Sequence, residues 1–272
     1  VNSCIINGSR DGLFFGLRFL ADHIVVEPGS LTVIGTRPGV GKTTLLMWLL
    51  MRALQRDPNV HAALFSAEMS LYQIGRRLAI MTSQDASLTT STFPSEAGRQ
   101  AAKDALWEAG GYTDKLGLAL HLDDTAAPIT DYIYNRVAGL RRILPNDSKI
   151  VVGVDYFQLL RRRGKSAGRV EELMAVSEDL LALAKSLDIY LLVNAQLNRS
   201  EGSEPSGRSI YFCDKIYHDA HNVVFLWNEN DEENPSPQRI INVKISKARE
   251  GLVGRGKLAA NFARMRFDNY HE

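Results

Sequence analysis

Three observations predict an α/β fold built on a mostly parallel, twisted sheet flanked by helices. Short apolar runs rich in β-branched residues alternate with longer stretches of helical periodicity along the 272 residues. The first four of these runs each feed a turn and then a helix or a polar loop. One of those turns carries two glycines directly before Lys42, which opens a helical run.

Taken in order, strands are predicted at Leu31–Gly35, Ala62–Ser66, Leu118–Leu122, Ile150–Val154, Ile189–Asn194, Val223–Trp227 and Ile240–Ser246, each a short apolar run bounded by turn residues. Helices are predicted at Lys42–Gln55, Leu71–Thr82, Ser95–Ala109, Ile129–Ile143 and Val170–Ser186. Arg161–Arg169 and Asn198–Arg208 mix Gly, Ser and charge without apolar periodicity and read as mobile loops. Glu229–Gln238 is acidic, contains Pro235 and Pro237, and reads as a solvated connector. No internal repeat or low-complexity tract is present.

Composition excludes several classes. With 45% hydrophobic and 23% charged residues the chain is ordinary for a globular protein, and its length suits one domain. A net charge of +1 supplies no global field toward polyanions, so any such site must come from local Lys and Arg clusters. Two cysteines, Cys4 and Cys213, are too few for a disulfide scaffold and fit a reducing compartment. No run approaches the length of a membrane helix and no signal-peptide layout opens the chain, so membrane partners are not expected. The expected location is the cytoplasm of a bacterial or phage-infected cell, or an organelle matrix. Opening on Val1 suggests a processed protein or an excised fragment.

The glycine turn spans Thr36-Arg37-Pro38-Gly39-Val40-Gly41-Lys42-Thr43. A helix start presents unpaired N–H groups and a positive dipole end, so Arg37 to Thr44 are the candidate ATP-binding residues, with Lys42 on the terminal phosphates and Thr43 on Mg²⁺. The usual pattern places Gly where this chain has Thr36; Gly35 stands one residue early. Ile150–Asp155 is an apolar run ending in an acid, which suits a carboxylate that holds Mg²⁺ through water. Glu68 follows another strand: it is either the base that activates water or an acid complementing the next helix dipole. Gln196, beyond a third strand, is either a γ-phosphate sensor or a surface amide.

Together with Phe65–Ser70, Val154–Leu160, Ala195–Arg199 and Ser246–Gly251, the loop resembles the C-terminal ATPase domain of DnaB-type hexameric replicative helicases, in that family's motif order. The resemblance implies a RecA-like P-loop NTPase fold, with residues 1–28 a lead-in or linker remnant and 29–272 the motor domain. It implies ATP and Mg²⁺ as cofactors, Glu68 as catalytic base, Gln196 as sensor, and Lys247 and Arg249 as fingers reaching the nucleotide of a neighbouring subunit in a hexameric ring. In that family the first motif position need not be Gly, which accounts for Thr36. It implies single-stranded DNA as partner, with Arg161, Arg162, Arg163, Lys165 and Arg169, and Arg199 with Arg208, as candidate contacts, and primase and a helicase loader as partners through other regions. Neither loop has interleaved aromatics. Ser209–Asn222 departs most from the family, and Cys213, His218 and His221 within it lack a fourth metal ligand. The expected activity is a DNA helicase, an ATP hydrolase coupled to unwinding in replication. The alternatives are a recombinase-like or clock-like ATPase without unwinding, and a nucleotide-gated interaction module.

Overall fold

The computed structural model describes residues 12–98, 100, 119–164, 166–198, 204–228 and 236–271. Among the described residues nine strands form one sheet in the order β3-β2-β4-β5-β1-β6-β7-β8-β9. They are β1 Leu31–Thr36, β2 Val60–Ser66, β3 Leu120–Asp123, β4 Lys149–Asp155, β5 Tyr190–Gln196, β6 Asn222–Trp227, β7 Gln238–Ala248, β8 Gly254–Asn261 and β9 Arg266–Asn269. Pairing is parallel from β3 through β6 and antiparallel from β6 through β9.

The α-helices bounded within the described residues include α1 Arg18–His23, α2 Lys42–Arg56, α3 Leu71–Thr82, α4 Thr130–Ile143, α5 Arg169–Leu187 and the short α6 Lys215–Asp219. They cover both faces, so the parallel strands are apolar throughout instead of alternating with polar residues. The pleat then divides the core by residue parity. Ile34, Val151, Leu192 and Val224 join α2 and α3 on one face. Val33, Val152, Leu191 and Val223 join α4 and α5 on the other. Phe15, Leu17, Leu20, Ile24 and Val26 are buried in the α2 layer, so the described part of the N-terminal segment packs as core.

Sequence patterning finds β1 to β7 within a few residues and misses β8 and β9. Neither missed strand contains a β-branched residue, and β8 is fixed by its ladder with β7. The helix expected at Ser95–Ala109 lies mostly outside the described residues, as do Leu118 and most of the acidic connector. Arg161–Arg169 is not a plain loop: Arg161 bridges Ile129, and Arg169 opens α5. Among the described residues no helix is long and apolar enough to cross a membrane.

Candidate nucleotide site

The crevice at the carboxyl ends of β1, β2, β4 and β5, where the strand order reverses, is where an open α/β sheet binds ligands. The β1–α2 turn lies there. Gly39 and Gly41 have φ of +80° and +95°, a region that side chains avoid. At Gly41 an added Cβ would also come within 2.4 Å of the Phe262 ring. Gly41 caps α2, whose first-turn N–H groups at Lys42, Thr43 and Thr44 have no intrahelical acceptor. The turn thus forms an anion cradle at the positive end of a buried helix.

A cavity of about 400 Å³ opens beside this turn. Thr43 is buried and donates its hydroxyl to Asp155 Oδ2 at 2.6 Å. Asp155 is fully buried at the end of β4, and Asn194 Nδ2 donates to its other oxygen at 2.9 Å. Lys42 Nζ lies 3.8 Å from Asp155 Oδ1, pairs with Glu68 Oε2, and sits 4.3 Å from the Tyr156 ring centre. Burial, then Glu68 and Asp155, pushes the Tyr156 hydroxyl pKa up.

Glu68 is not the cap of α3. Ser70 and Gln73 form a capping box there, and Leu71 N–H donates to Asp124 at 2.9 Å. With the dipole already served, Glu68 turns to Lys42 at the cavity wall. Gln196 ends β5 beside Thr36 and also lines the cavity. Gln158 holds it on both sides, accepting from Gln196 N–H and donating to Gln196 O, each at 3.0 Å.

The residues fit a triphosphate with a divalent cation. A buried carboxylate and a hydroxyl meet at the head of an anion cradle, and the buried Thr36 hydroxyl on the cavity wall has no partner among the described residues. Gly35, the residue before it, could not carry a side chain, because a Cβ would meet the Phe225 ring at 2.6 Å. Packing against β6 therefore accounts for the glycine at 35.

Sequence reading missed four cavity residues: Arg77, Arg239, Phe262 and Met265. Arg77 is half-buried on α3 near Asp155 and Glu68; burial lowers its pKa, while the two acids oppose that shift. Arg239 lies 4.9 Å from the Phe262 ring centre, and Thr44 hydroxyl reaches Met265 Sδ at 3.7 Å. No local motif marks these positions.

The profile of the DnaB-like helicase C terminal domain matches residues 16–269. The chain belongs to that family. It is 30% identical over 259 residues to the replicative DNA helicase DnaB of Pasteurella multocida, covering 91% of this chain and 53% of that protein. It is 29% identical over 244 residues to DnaB of Geobacillus stearothermophilus, covering 86% of this chain and 51% of that protein. The chain thus spans about half the length of these relatives. In fold it is similar to a solved ATPase domain, with a TM-score of 0.83 at 22% identity, over 97% of this chain and 93% of that one. It is also similar to a DnaB-like replicative helicase from a study of its interactions with primase, with a TM-score of 0.84 at 23% identity over 98% and 66%. These likenesses establish the RecA-like fold.

The two cations in the family's finger string lie elsewhere. Lys247 and Arg249 sit at the end of β7 that pairs with the start of β6, beside the start of β1. Along six-residue β1 this is about 17 Å from the turn at roughly 3.3 Å per residue. Lys247 Nζ donates to the carbonyls of Tyr217 and His218 at 3.0 and 2.7 Å, at the end of α6. Burial and Arg249 lower its pKa. Arg249 is exposed, with no side-chain hydrogen bond or ion pair among the described residues.

The basic cluster after β4 is largely engaged. Arg161 and Arg169 pair with Glu172, Arg162 pairs with Asp179, and Arg169 also donates to the carbonyls of Gln158 and Leu160. Arg163 and Arg208 are exposed without side-chain partners among the described residues. Lys165 and Arg199 lie outside them.

Proposed function

We propose that the chain is the ATP-hydrolysing motor of a replicative DNA helicase, working between subunits of a hexameric ring that moves along single-stranded DNA. One observation carries the reading: Lys42, Thr43, Glu68 and Gln196 line one cavity, with Asp155 bonded to Thr43 just beneath it, whereas Lys247 and Arg249 stand at the far end of the sheet, where they suit a neighbour's nucleotide.

ATP is the substrate, its phosphates seated on the turn from Arg37 to Thr44. Thr43 and Asp155 would hold Mg²⁺, which when bound neutralises charge on the triphosphate. Lys42 exchanges Glu68 for phosphate oxygens, since a polyanion outcompetes a half-exposed carboxylate. Glu68, so released, takes the proton of the attacking water. Gln196 meets the terminal phosphate, and Arg249 of an adjacent copy stabilises charge as the bond to the leaving ADP breaks. Among the described residues Arg163 and Arg208 are exposed and can meet DNA phosphates, while the bonds of Arg161, Arg162 and Arg169 must open before they join.

The test supplies the purified chain with ATP, Mg²⁺ and a forked duplex. Hexamers by light scattering, hydrolysis stimulated by single-stranded DNA, and strand separation are expected. Filaments in place of rings would instead support the recombinase-like reading, and ATP left intact after long incubation with DNA would support the gated module.

A further inference from the structure

We propose that Tyr211 and Phe212 form a stacking platform for the bases of single-stranded DNA, tied by hydrogen bonds to the nucleotide-sensing end of β5. The inference rests on the motor reading above and gives it a base-contacting site.

The two rings are 41% and 48% exposed, with centres 3.8 Å apart and planes tilted by 46°. Their buried neighbours Ile210 and Cys213, 3% and 4% exposed, pin the backbone on both sides. Phe212 holds φ of +65°, an unfavourable region for a bulky residue. A surface aromatic kept in a strained conformation, where Gly or Asn would relax it, points to a use for the ring. Base stacking suits such a pair because every base offers a π-face, so a motor that must pass any sequence gains grip without readout.

Charge and size select the occupant. Arg208, three residues before Tyr211, is exposed with no side-chain partner among the described residues and can hold a phosphate of the strand whose base stacks. Glu204, an acid of the same segment, is already taken by Lys244 and Arg255, which leaves the exposed Asp214 as the carboxylate nearest the rings in sequence among the described residues. Two rings flanked by the exposed Arg208 and Asp214 make too small an apolar patch for a folded partner's core contact.

The link to nucleotide is direct. Tyr211 N–H donates to Gln196 O at 3.0 Å, Leu197 bridges Ile210, and Asn198 N–H donates to Ser209 O at 2.8 Å. Gln158 Nε2 donates to both Gln196 O and Tyr211 O, at 3.0 and 3.1 Å. Gln196 and Tyr211 are thus locked in register, and a shift of Gln196 toward a terminal phosphate carries the rings with it.

The experiment measures binding of the full chain, loaded with a non-hydrolysable ATP analogue and Mg²⁺, to labelled oligo(dT) and to an abasic strand of equal length. Wild type should bind oligo(dT) about tenfold more tightly than the abasic strand. Tyr211→Ala and Phe212→Ala should each erase most of that difference, and Phe212→Trp should keep it. Equal wild-type affinity for the two strands overturns the platform without touching the motor reading and needs no variant to fold. Preserved discrimination in both alanine variants overturns it as well. No wild-type binding to either strand defeats the motor reading, and the platform with it.

Discussion

At one end of the sheet cations face inward, and at the other they face out. Lys42 is enclosed by Glu68, Asp155 and the Tyr156 ring. Lys247 instead rests on the last carbonyls of α6, a favourable place for a cation, and Arg249 beside it has no side-chain partner among the described residues. The first end holds acids and cations that neutralise one another beside an open cavity. The second holds Arg249 exposed, with Lys247 beside it tied to its own chain. On the function proposed above, the difference means that half of the chemistry is built for export.

The strongest way to break this comparison is to remove the exported charge. Arg249→Ala should lower kcat by about a thousandfold while ATP affinity stays within about threefold. Mixing that variant with Glu68→Gln should then recover a measurable rate, because some mixed interfaces unite an intact Glu68 with a neighbour's intact Arg249. Absence of recovery on mixing, read by steady-state phosphate release, would place Arg249 in the site of its own chain.

At the inward end, Glu68→Gln should lower kcat by about a hundredfold or more. Equilibrium binding should show ATP affinity unchanged or tighter, since the substitution also frees Lys42 from its ion pair. Loss of binding with the rate would make Glu68 a structural partner of Lys42 alone. Arg77→Gln sharpens the same end more gently. A half-buried guanidinium near Asp155 and Glu68 is placed to meet phosphate. Its loss should weaken ATP by about tenfold, ADP by less, and Arg77→Lys should restore part of the difference. Equal weakening of both nucleotides would take Arg77 off the terminal phosphate.

What was legible in the sequence follows the same division. The turn, Asp155, Glu68 and Gln196 each follow a strand, so local strings reveal them, and the parallel order comes from strand and helix alternation. Arg239, Phe262 and Met265 reach the cavity only because β7 to β9 fold back over α2, and the last two of those strands lack the β-branched side chains that announce a strand. The basic cluster misleads for a related reason. Its partners Glu172 and Asp179 lie on the next helix, and only the spacing of Arg169 and Glu172 was there to be read. The need for Gly35 was likewise hidden, because the ring that forbids a side chain there belongs to β6, nearly two hundred residues away.

The smallest expected effect concerns how the outward end is held. His221 Nδ1 accepts the Leu31 N–H at 3.2 Å, and His221 N–H donates to Leu31 O at 2.7 Å, joining the approach to β6 to the start of β1. Arg249 N–H donates to His221 O at 3.1 Å, so the proposed finger is hung from this residue. Burial, then Arg249, Lys185 and Lys247, lowers the imidazole pKa below its ordinary 6.5, with Glu250 opposing. The folded chain therefore keeps His221 neutral where the unfolded chain protonates it. Stability from this residue is full above about pH 6.5 and is lost as pH falls from there through the folded pKa. Thermal melts should accordingly show Tm falling more steeply from neutral to mildly acidic pH in wild type than in His221→Gln. At neutral pH the variant should itself be destabilised by about 1 kcal/mol through the lost acceptor, a shift of a few degrees. Identical slopes would mean that the imidazole does not hold β6 to β1, and that the register of the finger string depends on the β6–β7 ladder alone.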